Sequence, residues 1–164
     1  MTQLEALRLE LEAEAVTTRK MLAQVPTAKF GWQPHPKSMT IKRLATHIAE
    51  LPTWIGMTLE TDELDFESNP YSPVDVNTAE ELLQYFEKSL EDGRKHIKAG
   101  REEVLDKPWT LRSGKAIYST SPKRDVLRMA MSQIIHHRAQ LGVYLRLLDI
   151  PIPGSYGPSA DESF

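Results

Sequence analysis

Apolar residues recur at spacings of three and four in four stretches of the 164-residue chain, and each stretch predicts an amphipathic α-helix. In residues 2–25, Leu4, Leu7, Leu11, Ala15 and Met21-Leu22 alternate with Glu and Arg until Pro26 ends the run. A second helix is expected after Thr40, whose hydroxyl can satisfy free amides of the first turn, with Ile41, Leu44, Ile48, Leu51 and Ile55 on one face. Pro52 lies inside this run and removes the amide that would bond the carbonyl of Ile48. Because the apolar spacing continues to Leu59, a kink is expected there, with the helix running on. The third helix, about 79–99, opens on Thr78-Ala79-Glu80-Glu81, the pattern of a capping box, and ends near Gly100. The fourth, about 122–148, is the longest, with Ser121 as its expected cap and Pro122 in its first position.

The connections carry their own signals. Between Pro26 and Ser38 stand Pro26, Gly31, Pro34 and Pro36, an ordered loop whose Phe30 and Trp32 would plug one end of a helical core. Residues 61–77 are acidic and then rich in Pro and Asn; a loop of that length is uncommon unless it covers something. Within 100–121, Ala116-Ile117-Tyr118 suits a small strand or an extended lid, and beyond Ile150 repeated Pro and Gly exclude helix. The expected architecture is an all-α single domain over residues 1–164: a four-helix bundle with a long crossover connection and an extended C-terminal tail.

Composition narrows the function. With 40% apolar and 26% charged residues the chain matches ordinary globular domains. A net charge of −3 and pI near 6.0 provide no basic footprint, so nucleic acid is not an expected partner. The absence of cysteine excludes disulfides, thiolate metal ligands and a cysteine nucleophile. No apolar run is long enough to span a membrane and the N-terminus is acidic, so the expected location is cytoplasmic.

The chemistry concentrates in Ser132-Gln133-Ile134-Ile135-His136-His137-Arg138-Ala139-Gln140-Leu141. Taking Ile134 as the core direction and about 100° per residue, His137 lies roughly 60° from the apolar stripe, Gln133 about 40° further on the same side, and His136 roughly 160° away, toward solvent. On the second helix His47 falls about 100° from Ile48, at an edge from which it could face His137. Gln133 and His137 are one turn apart, the spacing that lets two side chains reach one metal ion, and with His47 they would leave a position open for water. The plainer alternative is that His47 and His137 are hydrogen-bonded interface residues. His35 and His96 read as surface residues, Trp32, Trp54 and Trp109 as core or lid aromatics, and Glu50, Glu60 and Glu63 as solvated carboxylates or a general base.

His47 in Leu44-Ala45-Thr46-His47-Ile48-Ala49-Glu50, followed by His136-His137-Arg138-Ala139-Gln140-Leu141 and the tail through Pro151-Ile152-Pro153, resembles the DinB/YfiT-like superfamily over nearly the whole chain. The resemblance implies an up-down-down-up four-helix bundle, often a homodimer, with zinc or nickel held by one histidine of the second helix and two of the fourth. Carried over by position, these are His47, Gln133 and His137; at Gln133 the family pattern has histidine, and the change implies weaker metal binding. The implied activity is that of a metal-dependent enzyme, a hydrolase or thiol-dependent S-transferase acting on a small molecule of unspecified structure. The alternative is a non-catalytic dimeric bundle or ligand-binding protein with a degenerate metal site. Arg138, near the core stripe, is expected to pair with a buried carboxylate rather than a substrate.

Overall fold

Threonine starts three helices in the same way: the hydroxyls of Thr2, Thr40 and Thr78 accept from the amides of Glu5, Arg43 and Glu81, at 3.2, 3.2 and 3.1 Å. In this computed structural model, which describes residues 1–163, they introduce α1 (Gln3–Leu22), α2 (Ile41–Glu50) and α4 (Ala79–Ala99). Glu81 completes the capping box with a variation, its carboxylate accepting from the amide of Asn77 at 2.7 Å.

Pro52 breaks the second helix rather than kinking it. The ladder stops at Glu50 and resumes as α3 (Thr53–Glu60). Leu51 and Pro52 keep right-handed helical dihedrals, and the amides of Trp54 and Ile55 reach back only three residues, to Leu51 and Pro52, at 3.1 and 3.2 Å. The Thr53 hydroxyl takes the Glu50 carbonyl at 2.7 Å. The missing proline amide thus costs one turn of ladder, while Ile55 and Leu59 stay buried in line with Ile48.

Long-range pairs give the helices' relative directions. Glu10–Arg128 and Glu14–Arg138 set α1 parallel to α5 (Lys123–Leu147), whereas Glu12–Arg94 and Arg19–Glu87 set it antiparallel to α4. Two glycines bring α3 close to α4: a Cβ at Gly93 would lie 3.0 Å from the Pro52 carbonyl oxygen, and one at Gly56 would lie 2.5 Å from His96 Nδ1. His96 is therefore an interhelical wedge, its Nδ1 bonded to the Asp92 carbonyl at 2.8 Å, and not the surface residue expected. His35 is exposed, as expected. Leu11, Leu44, Ile48, Phe86, Leu90, Met131 and Leu141 fill the interior, each contributing about 1.5–3 kcal/mol by burial.

A three-stranded sheet departs from the all-α expectation. β1 (Glu63–Asp65) pairs in parallel with β2 (Pro108–Ser113), which pairs antiparallel with β3 (Ala116–Pro122). Trp109 anchors it, buried and donating its indole N–H to Thr61 Oγ1 at 3.1 Å. Because β3 runs into α5, Ser121 does not cap that helix: its first amides, of Lys123 and Arg124, bond the carbonyls of Lys107 and Leu105 at 2.9 and 3.0 Å. These carbonyls do the work a side-chain cap would do.

The tail over residues 151–163 has no regular structure and is tied to the helices by Arg146–Asp161, Lys20–Glu162 and the bonds of Tyr156. Arg138 is 2% exposed and meets Glu14 Oε2 at 2.6 Å, Thr18 Oγ1 at 3.1 Å and Tyr156 Oη at 3.1 Å, so it pairs with a buried carboxylate as expected. Among the described residues no helix is long and apolar enough to cross a membrane.

Candidate metal centre

His47, in the last turn of α2, and His137, midway along α5, lie with ring centroids 4.8 Å apart and ring planes at 70°. Both rings are held at Nδ1 by the side chain three residues onward. His47 Nδ1 donates to Glu50 Oε1 at 2.6 Å, and His137 Nδ1 donates to Gln140 Oε1 at 2.9 Å, the tautomers being assigned from the acceptors. In the neutral form of each ring this places the proton on Nδ1 and leaves Nε2 with a lone pair, the arrangement in which second-shell acceptors orient metal-binding imidazoles.

Burial lowers the pKa of His137 below its ordinary value, with His47, His136 and Arg43 pushing the same way against the bond to Gln140. The ring is thereby kept in the neutral form that a ligand requires.

Glu50 is the residue on which this side of the site depends. It is 7% exposed and accepts from the Tyr71 hydroxyl at 2.7 and 2.8 Å as well as from His47. Burial raises the phenol pKa of Tyr71, and its bond to Glu50 raises it further, so Tyr71 remains a donor. The Arg43 guanidinium lies over the Tyr71 ring, 4.8 Å from its centroid. Tyr71 belongs to the 61–77 connection, so this loop does cover something. Beside it a cavity of about 230 Å³ is lined by Glu50, Trp54, Met57, Phe66, Tyr71 and Tyr85 among others.

The remaining sequence candidates divide. Gln133 sits half-buried one turn before His137, and among the described residues its side chain makes no hydrogen bond. His136 is exposed, with its ring 4.9 Å from that of His137, on the outward side that the helical angle gave it. Glu60 is exposed, and Glu63 pairs with Arg112. Trp109 is a core residue, and Trp54 packs near it at 6.3 Å. No three His, Cys, Asp or Glu side chains group as metal ligands among the described residues.

In the sequence Glu50 reads as a solvated carboxylate or a general base, and Arg43, Tyr71 and Gln140 stand out by residue type no more than their neighbours. A signal for two of them was present, since His47-Ile48-Ala49-Glu50 and His137-Arg138-Ala139-Gln140 share one spacing from ring to acceptor.

Residues 1–163 match the family model described as DinB family. The fold is shared with a DinB-like protein from Bacillus subtilis (16% identity, 97% of this chain and 99% of that one, TM-score 0.70) and one from Bacillus cereus ATCC 10987 (20% identity, 95% and 100%, TM-score 0.71). It is also similar to a mycothiol-dependent maleylpyruvate isomerase (16% identity, TM-score 0.58), covering 87% of this chain and 63% of that protein. No curated protein sequence matches the chain.

Proposed function

The chain belongs to the DinB family, and from that membership we propose that it is a metal-dependent enzyme holding one divalent ion, zinc or nickel, between α2 and α5 through His47, His137 and Gln133. In this reading α2 and α3 count as one helix interrupted at Pro52, and the sheet is an addition to a four-helix bundle.

The observation that carries the proposal is the pair of imidazoles in contact across two helices, each fixed at Nδ1 by an oxygen and each keeping Nε2 for a ligand bond. The side chains present fit such an ion: two neutral imidazoles are good donors to zinc or nickel. Gln133, half-buried on the His137 side of α5, offers an amide oxygen, a weaker third donor.

When bound, the ion would lower the pKa of a water or thiol or polarise a substrate atom. The chain's own residues hold the site for that chemistry. Glu50 orients His47, Gln140 orients His137, and Tyr71 closes the Glu50 side with its hydroxyl protonated. We assign the reaction class as thiol-dependent S-transfer or hydrolysis of a small molecule. That a mycothiol-dependent isomerase has a similar fold supports the thiol arm at the level of fold only.

We also propose a homodimer. Leu9 and Val16 on α1 and Met129, Val143 and Leu147 on the parallel α5 are exposed, apolar side chains that a second copy would cover. Light scattering should give twice the monomer mass; a monomer at micromolar concentration overturns this part.

One observation favours a second reading. With Gln133 where a third imidazole would complete the set, the protein could be a non-catalytic bundle or ligand-binding protein that no longer holds metal. Metal analysis of protein purified without an affinity tag, with melting temperatures in added zinc and nickel, separates the two. The enzyme reading expects bound metal or a clear rise, since a ligand at a hundred times its Kd stabilises by about 2.7 kcal/mol. Metal-free protein with an unmoved melting temperature would leave only the second.

A further inference from the structure

Arg43 lies one turn before His47 on α2 and is half-buried. Every other half-buried or buried arginine among the described residues has a carboxylate partner: Arg19 with Glu87, Arg94 with Glu12, Arg112 with Glu63 and Asp65, Arg138 with Glu14. Among the described residues the Arg43 guanidinium has none within 4.0 Å, and its Nη1 is buried without any hydrogen-bond partner there. Leaving a buried charged donor unpaired is costly, so such a group in a site is an opening for a ligand.

Its setting is built for one. The Tyr71 ring supports the guanidinium at 4.8 Å, a cation–π contact that fixes its plane. The nearest carboxylate of the site, Glu50, is already engaged by the Tyr71 hydroxyl and His47 Nδ1. A divalent ion between the two histidines would add to the positive charge of Arg43. The neighbouring cavity, with Trp54, Phe66 and Tyr85 in its wall, meets this site only through Glu50 and Tyr71.

We propose that Arg43 anchors a carboxylate group of the small molecule bound at this centre, by the paired N–H donation that a planar guanidinium offers a carboxylate. The inference rests on the site described above and deepens it by naming the substrate class as a carboxylate anion.

The test is calorimetric titration of benzoate and of its neutral analogue benzamide into the full chain, with and without zinc, for wild type, Arg43→Gln and Arg43→Lys. Wild type should prefer benzoate over benzamide by about tenfold or more, Arg43→Gln should lose that preference, and Arg43→Lys, keeping the charge but not the fork, should retain only part of it. Equal affinity for the two probes, or a preference unchanged in Arg43→Gln, overturns the proposal. Should Arg43→Gln fail to fold by circular dichroism, Arg43→Lys decides: unchanged benzoate affinity overturns the paired-donor anchor. Zinc titrated alone keeps the two readings apart, because Arg43→Gln should bind zinc at least as well as wild type. Zinc uptake without Arg43-dependent benzoate binding sinks the anion site alone. Arg43-dependent benzoate binding in a protein that takes no zinc sinks the metal alone.

Discussion

Two glutamates buried to the same degree, Glu14 and Glu50 at 7% exposure each, receive a tyrosine hydroxyl from an irregular segment. Tyr156 of the tail donates to Glu14, and Tyr71 of the long connection donates to Glu50. At Glu14 the charge is answered by the buried Arg138, and all the groups are paired. At Glu50 the answering group is the His47 ring, engaged at Nδ1 alone, and the nearby Arg43 is left unpaired among the described residues. The first cluster is closed on itself and ties the tail to α1 and α5. The second has the same parts with the pairing left incomplete, and incompleteness of this kind is what a binding site needs.

The largest effect should come from opening the closed cluster. Arg138→Met leaves Glu14 buried without its partner and should lower unfolding stability by about 3–5 kcal/mol in urea melts, whereas Arg138→Met with Glu14→Leu should recover most of it. If the single variant costs less than about 1 kcal/mol, the pair is not the staple described here.

At the open cluster the corresponding change should act on the ligand instead. Glu50→Gln should leave the fold intact but weaken zinc binding by about 10–100-fold, as loss of a second-shell carboxylate does. A stability loss as large as that of Arg138→Met, with unchanged zinc affinity, would erase the distinction between the clusters.

Removing one hydroxyl from each side is a finer probe. Tyr156→Phe strips a partner from both Glu14 and Arg138 and should cost about 1–2 kcal/mol; Tyr71→Phe strips one from Glu50 alone and should cost about 1 kcal/mol or less. The reverse order would contradict the account.

Smallest is the contribution of the exposed ion pairs that align α1 with α4. The hydrogen bonds from Arg94 and Arg19 hold the carboxyls of Glu12 and Glu87 below their ordinary pKa. A carboxyl depressed in the fold contributes stability that is fully present above its unfolded pKa, about 4.3, and is lost as pH falls through the folded value. With side chains 34–44% exposed, each pair should contribute less than about 1 kcal/mol after solvent screening. Denaturant melts between pH 3 and 6 should show a shallow acid loss that Glu12→Gln with Glu87→Gln flattens.

Local signals carried much of the fold. Thr40 and Thr78 cap where their hydroxyls suggest, the third helix keeps its expected ends, and the helical angle separates the inward His137 from the exposed His136. Of the sheet, only the Ala116-Ile117-Tyr118 start of β3 was legible as a strand; the pairing was not, because β1 pairs with β2 across a whole helix and β3 is largely exposed, leaving little alternation to read. Trp109 was the one strong anchor, and Gly114, at φ +54 in the β2–β3 turn, the one turn signal. At the site, His47 and His137 followed from angles on their own helices, and Arg138 from its place near the core stripe. Tyr71 did not, since it meets Glu50 from a loop 21 residues away. Arg43 gave no sign, because an unpaired arginine looks in sequence like any solvated one.

The central claim is that His47 and His137, steadied by Glu50 and Gln140, hold a divalent ion with Gln133 as the weak third donor. Zinc titration of metal-free wild type beside Gln133→His tests it most directly. The account predicts one zinc per chain in both, with the variant tighter by at least about tenfold as an imidazole replaces an amide oxygen. No zinc uptake by either protein, with both correctly folded, would contradict it.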